Sequence, residues 1–316
     1  MDLVCNLEIS REDESQKELK AKVGREVRAY ATSYGIHNDP EEKHRCWRLE
    51  YADQVRFHMD ILPAIPEEEF FIQWLVQEGV EESQAKEAIA ITDDRHPRFD
   101  EIQNDWPRSN PKGFASWFEE RMRRVARARL ESLVRRGIYA SVDEVPPYTW
   151  RTPLQQAIQI LKRHRDVMFR SAQGEKPISM ILTTLAAMSY EGEEDLFETV
   201  FMILERMPSW VEEKFPKVKN PVNPAEDFAD KWRSNPRLED RFWEWHTQAK
   251  ADIKNLRNLS TEAQLSDWYS RKFSVRPRRE TVEQVLECRE SLGGIGVGAP
   301  TVIIGRSAPK PWRSDG

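Results

Sequence analysis

Two aspartates stand in stretches whose alternating pattern predicts β-strands. Asp2 opens the sequence MDLVCNLEIS at residues 1–10, and Asp60 lies in QVRFHMDILPAIP at residues 54–66. In both stretches apolar side chains alternate with polar ones, which places each aspartate on the face away from the apolar side chains. Carboxylates that converge from neighbouring strands can hold two divalent cations about 4 Å apart. The pattern is compatible with a two-metal site, but from the spacing alone aspartates at a solvated sheet edge or turn are favoured.

Two divalent cations at such a site support nucleotidyl transfer. One cation helps to deprotonate the attacking hydroxyl, and the other steadies the triphosphate and the departing pyrophosphate. Mg²⁺ suits this chemistry because it keeps several waters and takes few protein oxygens. The expected cofactor is therefore Mg²⁺, with Mn²⁺ as its alternative.

The strands that carry these aspartates are predicted early in the chain. Residues 44–51 and 54–62 both alternate, and Ala52 and Asp53 between them predict a two-residue hairpin turn. The stretch KEAIAITDD at residues 86–94 predicts a further strand. The predicted sheet therefore occupies the first part of the chain.

Helical patterns dominate from Pro111 onward, where Asn110 is a predicted cap. The clearest helix is TPLQQAIQILKRHRDVMF, in which Thr152 is the predicted N-cap and Pro153 the first helical residue. Further helices are predicted at roughly residues 13–34, 176–190, 193–214, 224–255 and 260–272.

Because the strands come first and the helices follow, an α+β fold is favoured over an alternating β-α-β chain. We predict a strand-rich domain at residues 1–110, a large helical lobe at 111–290 and a flexible tail at 291–316. The tail is set apart by composition, since six of the 13 glycines lie in the last 24 residues.

Composition excludes several classes of protein. The chain has 48 basic and 54 acidic residues among 316, a net charge of −6, so a general nucleic-acid coat is not expected. The three cysteines form no C-x-x-C motif, which argues against a disulfide framework or a zinc ribbon. The same cysteine pattern predicts a reducing, cytoplasmic location. No run of 18 apolar residues occurs, so no membrane partner is expected.

Two side-chain clusters have more than one interpretation. The predicted helix at residues 121–136 carries seven arginines, but flanking glutamates favour a solvated face over a nucleic-acid surface. The aromatic cluster RFWEWHTQ at residues 241–248, with Trp232, favours packing between helices over the stacking of bases.

Several stretches along the chain resemble, in order, those of one known family. They are MDLVCNLEIS, RFHMDILPAIP, PRSNPKGFASWFEERM at 107–122, TPLQQAIQILKRHRD at 152–166, KPISMILTTLAA at 176–187, NPVNPAEDFADKW at 220–232 and GRSAPKPWR at 305–313. The family is that of the bacterial cGAS/DncV-like nucleotidyltransferases, or CD-NTases, of CBASS anti-phage systems, within the polymerase-β-like superfamily. Together the stretches span nearly the whole chain.

The resemblance implies a polymerase-β-like nucleotidyltransferase palm with a mixed sheet, joined to a large helical lobe like that of oligoadenylate synthases. It implies an enzyme of the bacterial cytoplasm that joins ATP, GTP or other NTPs into a cyclic di- or trinucleotide. Asp2 and Asp60 would then hold magnesium as catalytic residues. The product would activate a separate downstream effector in the infected cell.

The resemblance also predicts a defect at the start of the chain. The family opens with a Gly-Ser phosphate-binding turn on a helix, followed by a D-x-D pair, and Asp2 matches the second aspartate of that pair. The turn, which supplies backbone N–H groups to the triphosphate, and the first aspartate would lie upstream of Met1. We therefore predict an N-terminally truncated form in which the 316-residue chain shows little turnover.

Two helical residues are predicted to bind the nucleotide. Lys162 flanks the buried stripe of its helix, from which a lysine can extend toward a cleft, although a solvated lysine is favoured on the sequence alone. Ser179 in KPISM could cap a helix. By resemblance, both fall where related synthases place a lysine and a serine against the donor triphosphate.

The chain ends in PKPWRSDG. In one class of CBASS operons the synthase's C-terminus is conjugated to other molecules by an E1–E2-like pair, chemistry that a small last residue favours. Gly316 is therefore a candidate conjugation site, and a frayed terminus ending in glycine is the alternative.

Two other functions compete with cyclic-nucleotide synthesis. A linear RNA-tailing nucleotidyltransferase on the same fold should need a basic RNA track, which the net charge of −6 disfavours. A non-catalytic, truncated synthase could instead serve as a conjugation or interaction partner.

Overall fold

The computed structural model of the protein describes residues 2–51, 57–122 and 152–291. The chain forms two compact units, which are described separately. The first comprises Met1–Glu119 with Asn220–Glu226, and the second comprises Glu120–Lys219 with Asp227–Gly316. The predicted division at residues 1–110, 111–290 and 291–316 stays a prediction.

A mixed sheet organises the first unit. Its strands are β1 (Asp2–Asn6), β2 (Glu41–Glu42), β3 (Trp47–Glu50), β4 (His58–Pro66), β5 (Ile89–Ile91) and β6 (Arg108–Ser109). The order is β2-β3-β4-β5-β6, and β1 also pairs with β4. The β1–β4 pairing is parallel, whereas the other pairings are antiparallel. The strand β4 is therefore the centre of the sheet.

Helix α1 (Gln16–Ser33) covers one face of the sheet. Ser15 and Glu18 form a capping box at its start, which satisfies backbone donors that the first turn leaves unpaired. Val23 and Val27, one turn apart, pack against Trp47 on β3. At Gly24 an added Cβ would overlap with the Trp47 ring, so glycine allows the helix to lie this close to the sheet.

Two further helices of the first unit are α2 (Glu69–Gln77) and α3 (Glu82–Ala85). A helical segment, α4, covers residues 111–122, and its residues up to Glu119 belong to this unit. The predicted cap of α4 is confirmed, because the Asn110 Oδ1 accepts a hydrogen bond from the Gly113 backbone N–H at 3.0 Å. Asn110 Nδ2 also donates to the Val222 carbonyl, which ties the segment 220–226 to this unit.

The second unit is mainly helical. Its helices are α5 (Pro153–Met168), α6 (Ser179–Ser189), α7 (Leu196–Arg206), α8 (Lys231–Ser234), α9 (Arg237–Leu256), α10 (Glu262–Phe273) and α11 (Arg279–Ser291). The predicted start of α5 is confirmed: Thr152 is the N-cap, Pro153 follows it, and Gln155 completes a capping box.

One helix prediction was wrong in its first part. Residues 224–255 were expected to be one helix, but β7 (Lys219–Asn220) and β8 (Asn223–Asp227) form a two-stranded sheet, and the long helix α9 begins only at Arg237. Three prolines precede α9, and proline lacks the backbone N–H that a helix interior uses. They explain why α9 does not extend toward the N-terminus: Pro221, Pro224 and Pro236.

The aromatic cluster packs between helices, as predicted. Trp232, Phe242 and Trp245 are buried, and the Trp232 and Phe242 ring centroids lie 5.4 Å apart. Of the predicted arginine-rich helix, residues 123–136 lie outside the described residues, as does the tail from 292 to 316. Within the described ranges, no helix is both long enough and apolar enough to cross a bilayer.

Candidate functional site

The parallel pairing of β1 with β4 brings the two predicted aspartates together. In its register Asp2 lies directly opposite Asp60, and the pairing continues to Asn6 opposite Ala64. Residues at one register position of neighbouring strands stand on the same face of a sheet, a single strand spacing apart. A strand from the start of the chain thus meets one that begins more than fifty residues later at the two carboxylate positions.

Asp60 lies on the face of the sheet opposite α1. Its neighbour Ile61 packs with Val23 and Trp47 on the α1 side, whereas Leu62, which shares the face of Asp60, packs with Ile89. Asp60 is half-buried, with 21% of its side chain exposed. The carboxylate is therefore held by the sheet and still open to solvent.

Arg48 binds the Asp60 carboxylate with two hydrogen bonds. Arg48 Nε donates to Asp60 Oδ1 at 2.7 Å, and Nη2 donates to Oδ2 at 2.8 Å. The two residues are register partners on β3 and β4. The Arg48 guanidinium holds the pKa of the Asp60 carboxyl below its usual range, and Asp60 in turn raises the pKa of Arg48.

The sequence did not point to Arg48 because the predicted hairpin register was wrong. A two-residue turn at Ala52 and Asp53 would place Arg45, not Arg48, opposite Asp60. The observed register pairs Glu50 with His58 and Arg48 with Asp60, so the connection between the strands is longer than two residues. The available signal was a charge complementary to Asp60, the arginine at position 48 near the centre of the predicted strand at residues 44–51.

The donors at this position fit a divalent metal in chemistry. Aspartate oxygens on adjacent strands are hard ligands of the kind that Mg²⁺ prefers. Both Asp60 oxygens, however, already accept hydrogen bonds from Arg48. Among the side chains that the structure describes, no group of three or more His, Cys, Asp or Glu residues forms a metal cluster.

The second unit holds the other pair of predicted residues. Lys162 lies on α5 and is partly buried, and Ser179 is the first residue of α6. Arg165, one turn after Lys162, donates from Nη1 to the Ser179 Oγ at 3.0 Å and to the Pro177 carbonyl at 2.9 Å. Arg165 thus fixes the start of α6 against α5.

Burial and neighbouring charges shift the pKa values of Lys162 and Asp166. Burial lowers the pKa of the Lys162 ammonium, and the neighbouring Arg165 adds to that shift. Burial acts to raise the pKa of Asp166, but hydrogen bonds from Arg165 and Lys176 outweigh it and keep this carboxylate ionised. Since Ser179 Oγ accepts from Arg165, its hydroxyl hydrogen remains available to donate.

Each predicted pair is thus described within its own unit, Asp2 with Asp60 in the first and Lys162 with Ser179 in the second. Ser179 is not the cap of α6, because the N-cap is Ile178, which makes no side-chain hydrogen bond there. Gly316 lies outside the described residues. Arg48 and Arg165 are the site neighbours that sequence reasoning missed.

Comparison with known proteins finds a related synthase. A c-di-GMP synthase of Roseivirga ehrenbergii is 32% identical to this protein over 284 residues, which are 85% of this chain and 66% of that protein. The chain spans slightly under two thirds of the length of this curated relative. No protein-family profile matches the chain.

Solved structures confirm the fold class. The CD-NTase CdnG of Bradyrhizobium diazoefficiens, in complex with GTP, aligns with a TM-score of 0.56 at 22% identity, over 86% of this chain and 74% of that one. The CdnC protein of E. coli MS115-1, in a complex with HORMA-deltaN, aligns with a TM-score of 0.55 at 10% identity, over 88% and 77%. At these identities the likeness shows the fold alone: a polymerase-β-like palm with a mixed sheet, together with a helical lobe.

Proposed function

We propose that this protein is a CD-NTase, a nucleotidyltransferase that joins NTPs into a cyclic dinucleotide and releases pyrophosphate. The observation that carries the proposal is the β1–β4 register, which sets Asp2 opposite Asp60. The name of the Roseivirga relative, a c-di-GMP synthase, supports the same chemistry. A ring of three nucleotides is the wider alternative, since base choice and ring size depend on the shape of the acceptor pocket.

In this proposal Asp2 and Asp60 hold Mg²⁺ or Mn²⁺. When bound, the metal lowers the pKa of the attacking hydroxyl and balances charge on the triphosphate. The chain's contribution is to fix the two carboxylates on strands that cannot move independently, because β4 pairs with β3 and β5 as well as with β1. A rigid sheet keeps both ligands in place before the nucleotide arrives.

The second unit would bind the donor nucleotide. Lys162 supplies a positive charge and Ser179 a hydroxyl donor, both of which match the oxygens of a triphosphate. Arg165 orients Ser179 through the 3.0 Å hydrogen bond to its Oγ, and so acts as a positioning residue. The partial burial of Lys162 strengthens its attraction to phosphate, because fewer waters compete for the ammonium.

The biological setting is proposed from the resemblance to the CD-NTases. The product would activate a downstream effector in anti-phage defence, and an E1–E2-like conjugating pair would act on Gly316. Replacing Gly316 with a bulky residue should abolish conjugation but leave nucleotide synthesis unchanged. Conjugation that survives the Gly316→Trp change would exclude this role for the terminus.

The direct test of the reaction is an assay with labelled NTPs and MgCl₂, followed by chromatography and mass spectrometry of the small-molecule products. It uses the 316-residue chain. A cyclic nucleotide supports the proposal. Only linear products, or no product, would overturn it.

A matched variant tests whether turnover depends on the proposed metal site. The Asp60→Asn variant is the matched negative control, because it keeps the shape of the side chain and removes the charge that a metal requires.

A further inference from the structure

Four charged residues occupy one row across the sheet. The registers place Glu41 on β2 opposite Arg48 on β3, Arg48 opposite Asp60 on β4, and Asp60 opposite Asp2 on β1. Register partners stand on the same face. A single arginine therefore lies between the carboxylate pair proposed to bind metal and an acidic residue on the edge strand.

The Arg48 guanidinium binds the Asp60 carboxylate, which a metal would need as a ligand. Its Nε and Nη2 groups bind one Asp60 oxygen each, at 2.7 and 2.8 Å. A divalent cation on those oxygens would displace at least one of these hydrogen bonds, and it would also be repelled by the guanidinium charge. Arg48 and the metal are thus competitors for Asp60.

Glu41 offers the displaced guanidinium another acceptor. Its carboxylate is 55% exposed and is bound by Lys43, which is itself 36% exposed. A surface ion pair of this kind contributes little and exchanges readily. Because Glu41 is the other register partner of Arg48, the guanidinium can turn toward it without any change in the strand pairing.

We propose that Arg48 is the resting counter-cation of Asp60, and that a divalent metal displaces it toward Glu41. Arg48 is thus a positioning residue that sets the metal concentration at which the site fills. This inference rests on the proposed role of Asp60 as a metal ligand. It does not depend on which nucleotide the protein uses.

The test measures the affinity of the protein for Mn²⁺ alone, by isothermal titration calorimetry and by electron paramagnetic resonance of free Mn²⁺. Arg48→Gln should bind Mn²⁺ about tenfold more tightly than the wild type, an effect reduced by the partial exposure of the pair. Arg48→Lys keeps the charge but loses the two-point contact, so its affinity should lie between the two. Unchanged or weaker binding by Arg48→Gln would overturn the proposal.

Glu41 is tested by a double-mutant cycle. Glu41→Gln should weaken Mn²⁺ binding by about twofold to threefold in the wild-type background, because the displaced guanidinium loses its second acceptor. In the Arg48→Gln background the same change should have no effect. An equal effect in both backgrounds would mean that Glu41 acts on the metal directly. That result contradicts the proposed movement of Arg48 from Asp60 to Glu41.

Controls distinguish a failure of the proposed Arg48 displacement from a folding defect and from a failure of the metal-ligand role of Asp60. Circular dichroism checks each variant, and Arg271→Gln, which breaks an exposed Arg–Asp pair on α10, should leave Mn²⁺ affinity unchanged. In the wild type, the Arg48 Nε–H signal in NMR should shift on titration with Mg²⁺, and a signal that stays fixed while the metal binds contradicts the exchange. If Asp60→Asn binds Mn²⁺ as the wild type does, the metal-ligand role proposed for Asp60 fails as well.

Discussion

Two ionised aspartates, one in each unit, show how differently the same side chain can be used. Asp252 on α9 is only 9% exposed and accepts from three donors: His164 Nε2 at 3.0 Å, Lys272 Nζ at 2.9 Å and Gln248 Nε2 at 3.0 Å. Asp60 is more exposed, at 21%, and both its oxygens accept from the one residue Arg48.

The difference separates a structural carboxylate from an exchangeable one. Asp252 joins α5, α9 and α10, since its donors come from all three helices, and its loss would leave buried His164 without that partner. Removing one member of a buried ion cluster is strongly destabilising. Asp60 loses a single partner when Arg48 moves away, and solvent can replace it.

The largest expected effect is on catalysis. Asp60→Asn should lower the rate of nucleotide synthesis on the order of a hundredfold or more, because the metal's transition-state stabilisation is worth several kcal/mol. Asp252→Asn should change the rate far less in whatever fraction of the protein stays folded. The measurement is the initial rate of nucleotide synthesis per folded molecule. Equal losses of rate in the two variants would contradict the distinction between an exchangeable and a structural carboxylate.

The order reverses for stability. Asp252→Asn should lower the free energy of unfolding by about 3 kcal/mol, and Asp60→Asn by less than about 1 kcal/mol. Urea denaturation followed by circular dichroism measures both. A larger loss for Asp60→Asn than for Asp252→Asn would show that Asp60 is the structural residue of the two.

Local sequence patterns predict several of the strands and helices, but they do not predict which strands pair. Alternation identified β1 and β4, and Thr152 and Pro153 marked the start of α5. The approach of β1 to β4 involves residues 58 positions apart, as the Asp2–Asp60 pair shows, and no local propensity encodes it. Family resemblance, not spacing, raised Asp2 and Asp60 above other strand aspartates.

The missed neighbours share one physical cause. Arg48 reaches Asp60 only in a register set by the connection between β3 and β4, whose length was predicted too short. Arg165 reaches Ser179 across two helices, from α5 to the first residue of α6. Hydrogen bonds between elements depend on how those elements pack, which single-residue patterns do not contain.

An intermediate effect is expected at the proposed nucleotide site of the second unit. Lys162→Met should weaken ATP binding about tenfold, the loss of one charge-assisted contact to phosphate. The control is Lys250→Met, which removes a surface lysine of α9 that pairs with Glu205 and should leave ATP affinity unchanged. Fluorescence titration with a labelled ATP analogue measures both, and equal affinities for the two variants would remove Lys162 from the site.

The smallest effect is the pH dependence of the Arg48–Asp60 pair. The pKa of the Asp60 carboxyl is lowered on folding from 3.8, mainly by the Arg48 hydrogen bonds. The pair therefore stabilises the protein above that pH. The stability difference between wild type and Asp60→Asn should therefore be constant from pH 7 to about pH 5 and shrink as the pH falls below 3.8. A difference that grows on acidification contradicts this sign.

The shared role of Asp2 and Asp60 is tested most directly by crystallography. Crystals soaked in MnCl₂ with ATP would be measured for anomalous scattering at a wavelength sensitive to manganese. The predicted result is a manganese peak coordinated by the carboxylates of both Asp2 and Asp60, with the Arg48 guanidinium turned away from Asp60. Manganese bound only elsewhere, with both Arg48–Asp60 hydrogen bonds intact, would contradict it.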